Sequence, residues 1–539
     1  LGDLAVGMLF LPRDPDANAR AREIITAELA RGELPILMWR TVTHEPNVLG
    51  KRALEMKPDI QQVLIERPRR FATDLEFDQH LYLVRRSIEN EAARHGLHGF
   101  YIASLSCRTI VYKALVSSIH LRGFYLDLND VDYKVNLILF HQRYSTNTFP
   151  TWERAQPFRF MCHNGEINTV DGNSTWMRAR EPMLQSPVWG GEIDALRPIV
   201  DETSSDSGKF DNTLELLNLG GRDLRHAMKM MMPQAWEKDP DLSPAAKGFF
   251  RFHSALMEPW DGPACMVFTD GALVGMQIDR NGLRPARYML TTDEMVYAGS
   301  EIGAYDVDPE KIVVTRKLRP GRMICADLAN RKLWQNDEIL KMLSTRKPYR
   351  EWAQRNRVRL EEIANLRTEQ PAINSETLLS RQAAMGWTSE EITMVVKTMY
   401  EDATEPVGSM GDDTPQSVLS PKPRPLFSFF KQRFAEVTNP PIDHLREDQV
   451  MSLRMQLGAR VNLLDESETA ARLVRVESPI LWNEDLKALT HVEDSAFQSA
   501  VIDATFSAHP EEGGALRRAV KRLCDEVERA ARLGASLII

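Results

Sequence analysis

Two short polar segments of the chain carry residue types that could bind an amino acid and stabilise a negative charge. Arg143 lies in the first segment, residues 141–147, and its planar guanidinium can bind a carboxylate through two parallel hydrogen bonds. Thr146, in the same segment, can add a hydroxyl hydrogen bond. Taken alone, an arginine after an apolar run is more often a surface residue or a member of an ion pair.

The second segment, residues 163–168, contains the pair Asn164 and Gly165. An amide N–H and a closely approaching glycine N–H can form an oxyanion hole. Further along, Asp206 lies among serines and can bind an ammonium group. Each of these features also has an ordinary explanation, since Asn-Gly is a common tight turn and Asp206 could cap a helix or form an Asx-turn. Their combination, in this order, predicts a site for an amino acid whose side-chain amide is attacked.

The sequence contains several longer distinctive strings, namely HQRYSTN at 141–147, FPTW at 149–152, HNGEINT at 163–169, DRNGLRPAR at 279–287, GSMGDDTP at 408–415 and VTNPPID at 437–443. Together these strings resemble the glutamine amidotransferase domain of the glutamate synthase large subunit and the passage into that enzyme's central domain. The resemblance covers essentially the whole chain.

The resemblance implies a reaction and a role for each residue. In that family an N-terminal cysteine attacks glutamine, with its own α-amino group as base, and the released ammonia travels inside the protein to a flavin domain. The resemblance assigns carboxylate binding to Arg143, the oxyanion hole to Asn164 and Gly165, and ammonium binding to Asp206. Thr146 would be a secondary contact.

The same resemblance implies the fold and the partners. It predicts fold class α+β, as the αββα sandwich of the N-terminal-nucleophile hydrolases lacking its first strands. It also predicts glutamine as ligand, 2-oxoglutarate as a second substrate of the parent enzyme, and a small electron-supplying subunit or ferredoxin as partner. FMN and an iron–sulfur cluster are expected in a missing C-terminal part of the parent, and no cofactor within this chain.

The cysteine that the family uses as nucleophile is expected upstream of Leu1. Cys162 is nearest to the site but lies in a predicted buried strand, and Cys107 lies in a predicted hairpin turn beside Arg108. We therefore expect a piece of a larger protein, truncated at both ends and inactive alone. A second hypothesis stays open, namely a regulatory pseudoenzyme that binds glutamine or glutamate. Amidotransferases that make phosphoribosylamine or asparagine fit less well, because the chain has no glycine-rich phosphate loop.

Composition narrows the class of protein. A formal net charge of −9 over 539 residues gives no support for nucleic-acid binding, and no apolar run is long enough to span a membrane. The five cysteines form no C-x-x-C pair, which argues for a reducing, cytoplasmic location and against a metal site in this chain.

Apolar periodicity predicts the elements that position the site. Predicted strands cover residues 35–42, 62–66, 100–104, 109–112, 135–140, 160–162, 264–269, 272–278, 288–291 and 295–298. Predicted helices cover residues 17–31, 78–95, 212–219, 247–257, 350–366, 377–385 and 388–400. The strand at 135–140 runs directly into the segment that holds Arg143, and residues 100–112 are expected to form a hairpin.

Groups of predicted strands alternate with groups of predicted helices, which favours an α+β sandwich over a regular βαβ array. We expect an amidotransferase domain at 1–350 and a helical connector with a Pro/Gly-rich linker at 351–425. We expect the beginning of an α/β central domain at 426–539.

Overall fold

The computed structural model describes residues 3–144, 148–363, 374–404, 406, 417–420, 454–492, 494–507 and 513–539. The chain divides into two compact units. One comprises Leu1–Ala364, Asp443–Ile480 and Leu489–Ile539, and the other Asn365–Ile442 and Leu481–Ala488. Arg143, Asn164, Gly165 and Asp206 all belong to the first unit, while Thr146 and the strings at 408–415 and 437–443 lie outside the described residues.

Seventeen strands occur in the described residues: β1 Leu4–Leu11, β2 Ile36–Thr41, β3 Asp59–Glu66, β4 Tyr101–Ser106, β5 Met161–Gly165, β6 Ala264–Thr269, β7 Leu273–Ile278, β8 Arg287–Thr291, β9 Val296–Gly299, β10 Ile312–Lys317, β11 Met323–Asp327, β12 Lys332–Trp334, β13 Arg357–Arg359, β14 Met455–Leu457, β15 Leu473–Val476, β16 Ser499–Ala500 and β17 Leu537–Ile538.

The helices of the amino-terminal part are α1 Pro15–Arg31, α2 Lys51–Glu55, α3 Asp74–Arg94, α4 Leu121–Phe124, α5 Val170–Arg180, α6 Asp206–Leu219, α7 Leu224–Met231, α8 Pro244–Leu256, α9 Asn336–Ser344 and α10 Tyr349–Arg355. Further helices cover Leu360–Ile363, Leu378–Ala384, Ser389–Glu391, Lys397–Asp402, Asn483–Thr490 and Ala515–Arg532. No helix in the described part of the chain is long and apolar enough to cross a membrane.

The first sheet is antiparallel, in the order β2-β3-β1-β4. Its central strand β1 is apolar at successive positions because both of its faces are covered. Leu9 and Leu11 pack with α1 and α3, whereas Met8 and Phe10 face a second cluster that includes Trp152. This alternation follows from the period of two residues along a strand.

The second sheet is also antiparallel, in the order β12-β11-β7-β6-β5, so β5 lies at its edge among the described strands. One face packs on α6, α7, α8 and α9 and forms the largest apolar cluster of the structure. The other face, through Met276, Ile278 and Ile324, packs against Tyr288 of β8. The hairpin predicted at Asp270-Gly271 is confirmed, and Gly271 has the positive φ of 86° that the turn requires.

The strand predicted at residues 135–140 is wrong. These residues form no strand, and Val135 and Ile138 are 52% and 74% exposed. The segment does run beside the edge strand, since the Cys162 thiol donates to the carbonyl of Phe140 at 3.5 Å. An apolar run becomes a strand only where a neighbour takes up its backbone hydrogen bonds, and no ladder with β5 forms here.

Two other predicted elements are wrong for a similar reason. Residues 100–112 form no hairpin, because β4 pairs with β1 and residues 109–112 form no strand. The long helix predicted at residues 350–366 is interrupted after Arg355, where β13 pairs in parallel with β15. In both segments the structure depends on a pairing strand far along the sequence, which the local pattern of apolar residues does not reveal.

Candidate functional site

The end of β5 approaches β6 too closely for any side chain. Gly165 pairs with Ala264 and has a φ of +153°, and a Cβ atom at this position would lie 1.9 Å from the carbonyl oxygen of Pro263. The next residue, Glu166, donates its N–H to that same oxygen at 3.0 Å. Only glycine therefore fits at position 165.

The open edge of β5 presents backbone donors toward the site. Met161 and His163 turn their N–H groups away from β6, to Asp211 Oδ1 at 3.1 Å and Gln156 Oε1 at 2.7 Å. Since an antiparallel strand alternates the direction of its N–H groups, the Gly165 N–H lies on the same open edge. A backbone donor is thus available where the sequence predicted an oxyanion hole.

Helix α6 begins at Asp206, six residues before the predicted start. Ser205 caps the helix by accepting the Gly208 N–H at 3.2 Å, so Asp206 itself is the first helical residue and not the cap. Its carboxylate accepts the Ile167 N–H at 2.9 Å and the Ser207 N–H at 2.7 Å. The charge lies at the positive end of the helix dipole and beside the end of β5.

One histidine, His163, lies against this carboxylate, and a second, His141, lies beside His163. The His163 side chain is 2% exposed, its Nε2 lies 3.7 Å from Asp206 Oδ2, and neither ring nitrogen has a hydrogen-bond partner in the described part of the chain. Burial and the neighbouring His163 lower the pKa of His141 to about 4, so His141 is neutral at pH 7. Sequence analysis did not assign a role to either histidine, although both belong to the two segments on which it rested.

Arg143 follows this group in an exposed loop. Its backbone N–H donates to His141 Nδ1 at 3.2 Å, and Tyr144 fastens the loop by donating its hydroxyl to the carbonyl of Ala114 at 2.7 Å. The Arg143 side chain is exposed, and its guanidinium makes no hydrogen bond or ion pair with any described residue. The structure therefore groups Asn164, Gly165 and Asp206 and places Arg143 beside them through His141.

Buried polar side chains fix β5 against α6. Gln156 accepts the His163 N–H and donates to Ser207 Oγ at 3.4 Å, so one side chain touches both elements. Asp211 is fully buried and accepts the N–H groups of Phe160 and Met161 at 2.8 and 3.1 Å. Burial raises the pKa of Asp211 to about 7, with Glu215 adding to the rise. These braces span about fifty residues, and sequence analysis missed them.

A second brace comes from the string at 279–287. Asp279 accepts the Ala264 N–H at 3.1 Å, which fixes the strand opposite Gly165. Arg280 binds both carboxylate oxygens of Asp261 at 3.0 and 2.9 Å, and the Asp261 carbonyl accepts the Asn168 N–H at 2.8 Å. This turn and this ion pair support the loop that follows Asn164 and Gly165.

Four of the five cysteines are buried, and the fifth, Cys524, is exposed. Burial raises the pKa of Cys162 far above its usual range, and burial together with Asp78 does the same for Cys107. Burial raises the pKa of Cys265 and of Cys325 to about 12. Cys524 is exposed, on the helix Ala515–Arg532 far along the sequence.

Comparison with known families divides the chain into two matches. The class-II glutamine amidotransferases match residues 1–352, and the glutamate synthase central domain matches residues 380–539. All four described residues of the predicted site lie within the first match.

Individual relatives agree with both matches. The NADPH-dependent glutamate synthase large chain of Azospirillum brasilense is 41% identical over 543 aligned residues, covering 99% of this chain and 35% of the relative. The chloroplastic ferredoxin-dependent glutamate synthase of rice, Oryza sativa, is 41% identical over 538 residues, 99% of this chain and 33% of its own. Ferredoxin-dependent glutamate synthase 2 of Synechocystis is 45% identical over 492 residues, 90% of this chain and 31% of its own.

The chain thus spans about a third of the length of these curated relatives. The family match covers well over half of the chain, and it includes the described residues of the candidate site. The chain therefore belongs to the class-II glutamine amidotransferases, and with its second match it resembles the amidotransferase region and central domain of the glutamate synthase large chain.

Proposed function

We propose that this chain binds L-glutamine between the end of β5 and the start of α6. In this proposal Asp206 binds the α-ammonium group and Arg143 binds the α-carboxylate, with Thr146 as a secondary contact. Asn164 and the Gly165 N–H face the side-chain carbonyl. The observation that carries the proposal is the Asp206 carboxylate, held by the Ile167 N–H at 2.9 Å beside a glycine that the strand requires.

The reaction that this pocket would serve is hydrolysis of the glutamine side chain. A cysteine thiolate attacks the carbonyl carbon, and the amide and backbone N–H groups stabilise the oxyanion that forms. The tetrahedral intermediate collapses with loss of ammonia, and water then releases glutamate from the thioester. The pocket supplies orientation and charge stabilisation, and the thiol is the one part that the five cysteines of this chain do not provide.

We propose accordingly that the 539 residues bind glutamine but do not hydrolyse it by themselves. In the whole enzyme the ammonia would pass to a flavin domain, where bound FMN and an iron–sulfur cluster supply the electrons for reductive amination of 2-oxoglutarate. The relatives include both NADPH-dependent and ferredoxin-dependent enzymes, so either electron donor is compatible with this chain. The alternative is a regulatory pseudoenzyme, which the same pocket without a thiol also supports.

We also propose the finer architecture that the resemblance implies. The two antiparallel sheets would form the β layers of an αββα sandwich, with α1 and α3 on one side and α6 to α9 on the other. The division would follow residues 1–350, 351–425 and 426–539, for amidotransferase, connector and central domain.

The substitution Arg143→Ala tests the carboxylate assignment in a full-length glutamate synthase large chain that carries this sequence. Losing the guanidinium removes a charge-assisted bidentate contact, so glutamine-dependent glutamate formation should fall by about tenfold to a hundredfold. Ammonia-dependent glutamate formation, which bypasses the pocket, should stay near the wild-type rate. Both rates are measured side by side.

Gln142→Ala is the matched control. Gln142 lies in the same exposed loop, and among the described residues its side chain donates to Ser118 Oγ, so its loss should leave both rates unchanged. If Arg143→Ala lowered both rates equally, the loop would be structural and the assignment of Arg143 would be withdrawn.

A further inference from the structure

Three side chains from three distant parts of the sequence converge outside the glutamine pocket. His226 on α7 and His253 on α8 bring their Nε2 atoms within 2.7 Å of each other. Glu466, which lies beyond the helices in the sequence, places Oε1 3.5 Å from His226 Nε2 and 3.4 Å from His253 Nε2. Both imidazoles are almost fully buried, and the Glu466 side chain is 15% exposed.

The hydrogen bonds around the cluster decide which atoms carry lone pairs. His253 Nδ1 lies 2.8 Å from the carbonyl oxygen of Phe249. Because a carbonyl oxygen can only accept a hydrogen bond, Nδ1 carries the proton, and Nε2 of the neutral ring has a lone pair. Two Nε2 atoms that face each other at 2.7 Å need a proton or a cation between them. Either an N–H···N hydrogen bond between two neutral rings or one cation bound by both Nε2 atoms would satisfy this contact.

The residues that contact these three side chains resemble the hydrogen-bonding partners found around metal ligands. The Phe249 carbonyl fixes the orientation of His253, and the Tyr349 hydroxyl donates to Glu466 Oε1 at 2.5 Å. Lys347 binds the other carboxylate oxygen, Oε2, at 3.1 Å. Metal-bound histidines and carboxylates characteristically have such partners, which hold the ligand atoms in place.

A buried arginine beside the cluster lacks an acceptor. Arg222 is 7% exposed, interacts electrostatically with His226, His253 and Glu466, and none of its three guanidinium nitrogens has a hydrogen-bond partner in the described residues. Leaving such donors unpaired is costly, so an oxygen acceptor is expected next to them. A metal-bound water or hydroxide would supply one, and a hydroxide would also offset the positive charge that a divalent ion adds beside Arg222 and Lys347.

We propose that His226 Nε2, His253 Nε2 and Glu466 Oε1 bind a divalent transition-metal ion of the zinc type, with water or hydroxide as the fourth ligand. Tetrahedral Zn²⁺ with Zn–N distances of about 2.0–2.1 Å holds two nitrogens about 3.3 Å apart, so the two rings must separate slightly on binding. The distances from the nitrogens to the carboxylate oxygen already suit that geometry.

The site would be structural, because it joins two regions of the sequence. His226 and His253 lie in the part that matches the amidotransferases, and Glu466 lies in the part that matches the central domain. A bound ion would fasten the segment before β15 to α7 and α8. The expectation of no metal site was based on the spacing of cysteines. That spacing could not reveal this set, because it contains no cysteine and its first and last ligands are 240 residues apart.

The test uses the whole 539-residue chain, stripped with a chelator and titrated with Zn²⁺. The proposal predicts saturation at one Zn²⁺ per chain, a Tm that rises with Zn²⁺ concentration, and X-ray absorption showing two imidazole nitrogens in the first shell. His253→Gln should abolish this binding, and Tyr349→Phe should weaken it by about tenfold to a hundredfold. His95→Gln, which removes an exposed histidine bound to Glu91, is the control and should bind as the wild type does.

The wild-type measurements keep the test decisive if a core variant fails to fold. Absence of saturable Zn²⁺ binding to the wild type would overturn the proposal, and the two histidines would then share a proton. An X-ray absorption spectrum without two imidazole nitrogens bound to the ion would also overturn the proposal. Equal loss of Zn²⁺ binding in His95→Gln and His253→Gln would overturn it too, because the ion would then bind at surface histidines.

Discussion

At the residue scale, the structure leaves no room for a side chain at Gly165. The backbone has a φ of +153°, and a Cβ atom would overlap the carbonyl of Pro263 and approach Ala264 Cα at 2.7 Å. Both contacts are with backbone, so no side-chain rotation relieves them. From the sequence we expected Gly165 to matter for its backbone N–H. The structure gives a second reason for glycine, because there is no room for a Cβ atom.

Gly165→Ala should therefore destabilise the fold by about 3 kcal/mol, because overpacking and an unfavourable φ add together. Urea unfolding of the wild type and variant measures the difference. Gly172→Ala is the matched control, since Gly172 lies in α5 with nothing within 4 Å of its Cβ position, and that change should be neutral or stabilising by about 0.5–1 kcal/mol. An unfolding free energy for Gly165→Ala equal to that of the wild type would show that β5 can move away from β6.

The positions of single residues around β5 were predictable in part. Arg143 and Asp206 were assigned by resemblance, and the structure places them beside the same short strand. The braces at Gln156 and Asp211 were not predictable, because each acts through one contact between distant parts of the chain. His163 was overlooked because a histidine beside an Asn-Gly pair has no distinctive pattern.

At the scale of elements, a buried ion network joins α3 to the segment that leads into β5. Glu89 on α3 binds Arg85, Arg86 and Arg159, and Arg159 also donates to the carbonyl of Ile102 in β4 at 2.6 Å. Burial alone would raise the pKa of Glu89, but Arg85, Arg159 and Arg86 outweigh it and lower that pKa to about 2. The first sheet's helix is thereby fastened to the strand that carries the pocket.

The lowered pKa predicts how stability depends on pH. The ionised Glu89 stabilises the folded state above its ordinary pKa of 4.5, and that contribution is lost as the pH falls from 4.5 toward 2. Glu89→Gln should cost about 3 kcal/mol at neutral pH, with the difference from wild type shrinking below pH 4.5. Urea unfolding at a series of pH values measures both quantities.

Glu91→Gln is the control for that series. Glu91 lies on the same helix and pairs at the surface with Arg94 and His95, so its loss should change stability by less than about 1 kcal/mol at any pH. A penalty for Glu89→Gln that stayed constant down to low pH would contradict the account, because it would reflect shape and not charge.

Elements whose determinants are local were predicted well, and elements that depend on a distant partner were not. The β6–β7 hairpin follows from the Asp-Gly turn, and the capping box at Thr388 and Glu391 begins a helix as predicted. The apolar run at 135–140 failed because no neighbour pairs with it, and the helix at 350–366 failed because residues 357–359 pair with β15. Pairing partners far along the sequence leave no mark on the local pattern.

At the scale of the whole molecule, the fold brings parts of the sequence that lie far apart to one pocket. The loop at Arg143, the end of β5 and the start of α6 supply separate groups, and the turn at 279–282 supports them from behind. The α+β class was predictable from the alternation of strand and helix groups. The order of strands in each sheet was not, because it depends on pairing over long distances.

The central claim is that this pocket binds L-glutamine through Asp206. The most direct measurement is calorimetric titration of L-glutamine into the 539-residue chain, with released ammonia assayed in the same samples. The wild type should bind saturably without releasing ammonia. Asp206→Asn keeps the shape but removes the charge, so it should weaken binding by about tenfold to a hundredfold.

Asp201→Asn is the matched control, because Asp201 is exposed and accepts the Thr203 N–H at 2.9 Å. This variant should bind glutamine as the wild type does. The predicted result is saturable binding of glutamine that Asp206→Asn weakens and that Asp201→Asn leaves unchanged. Absence of saturable binding to the wild type, or equal affinity in wild type and Asp206→Asn, would contradict the account.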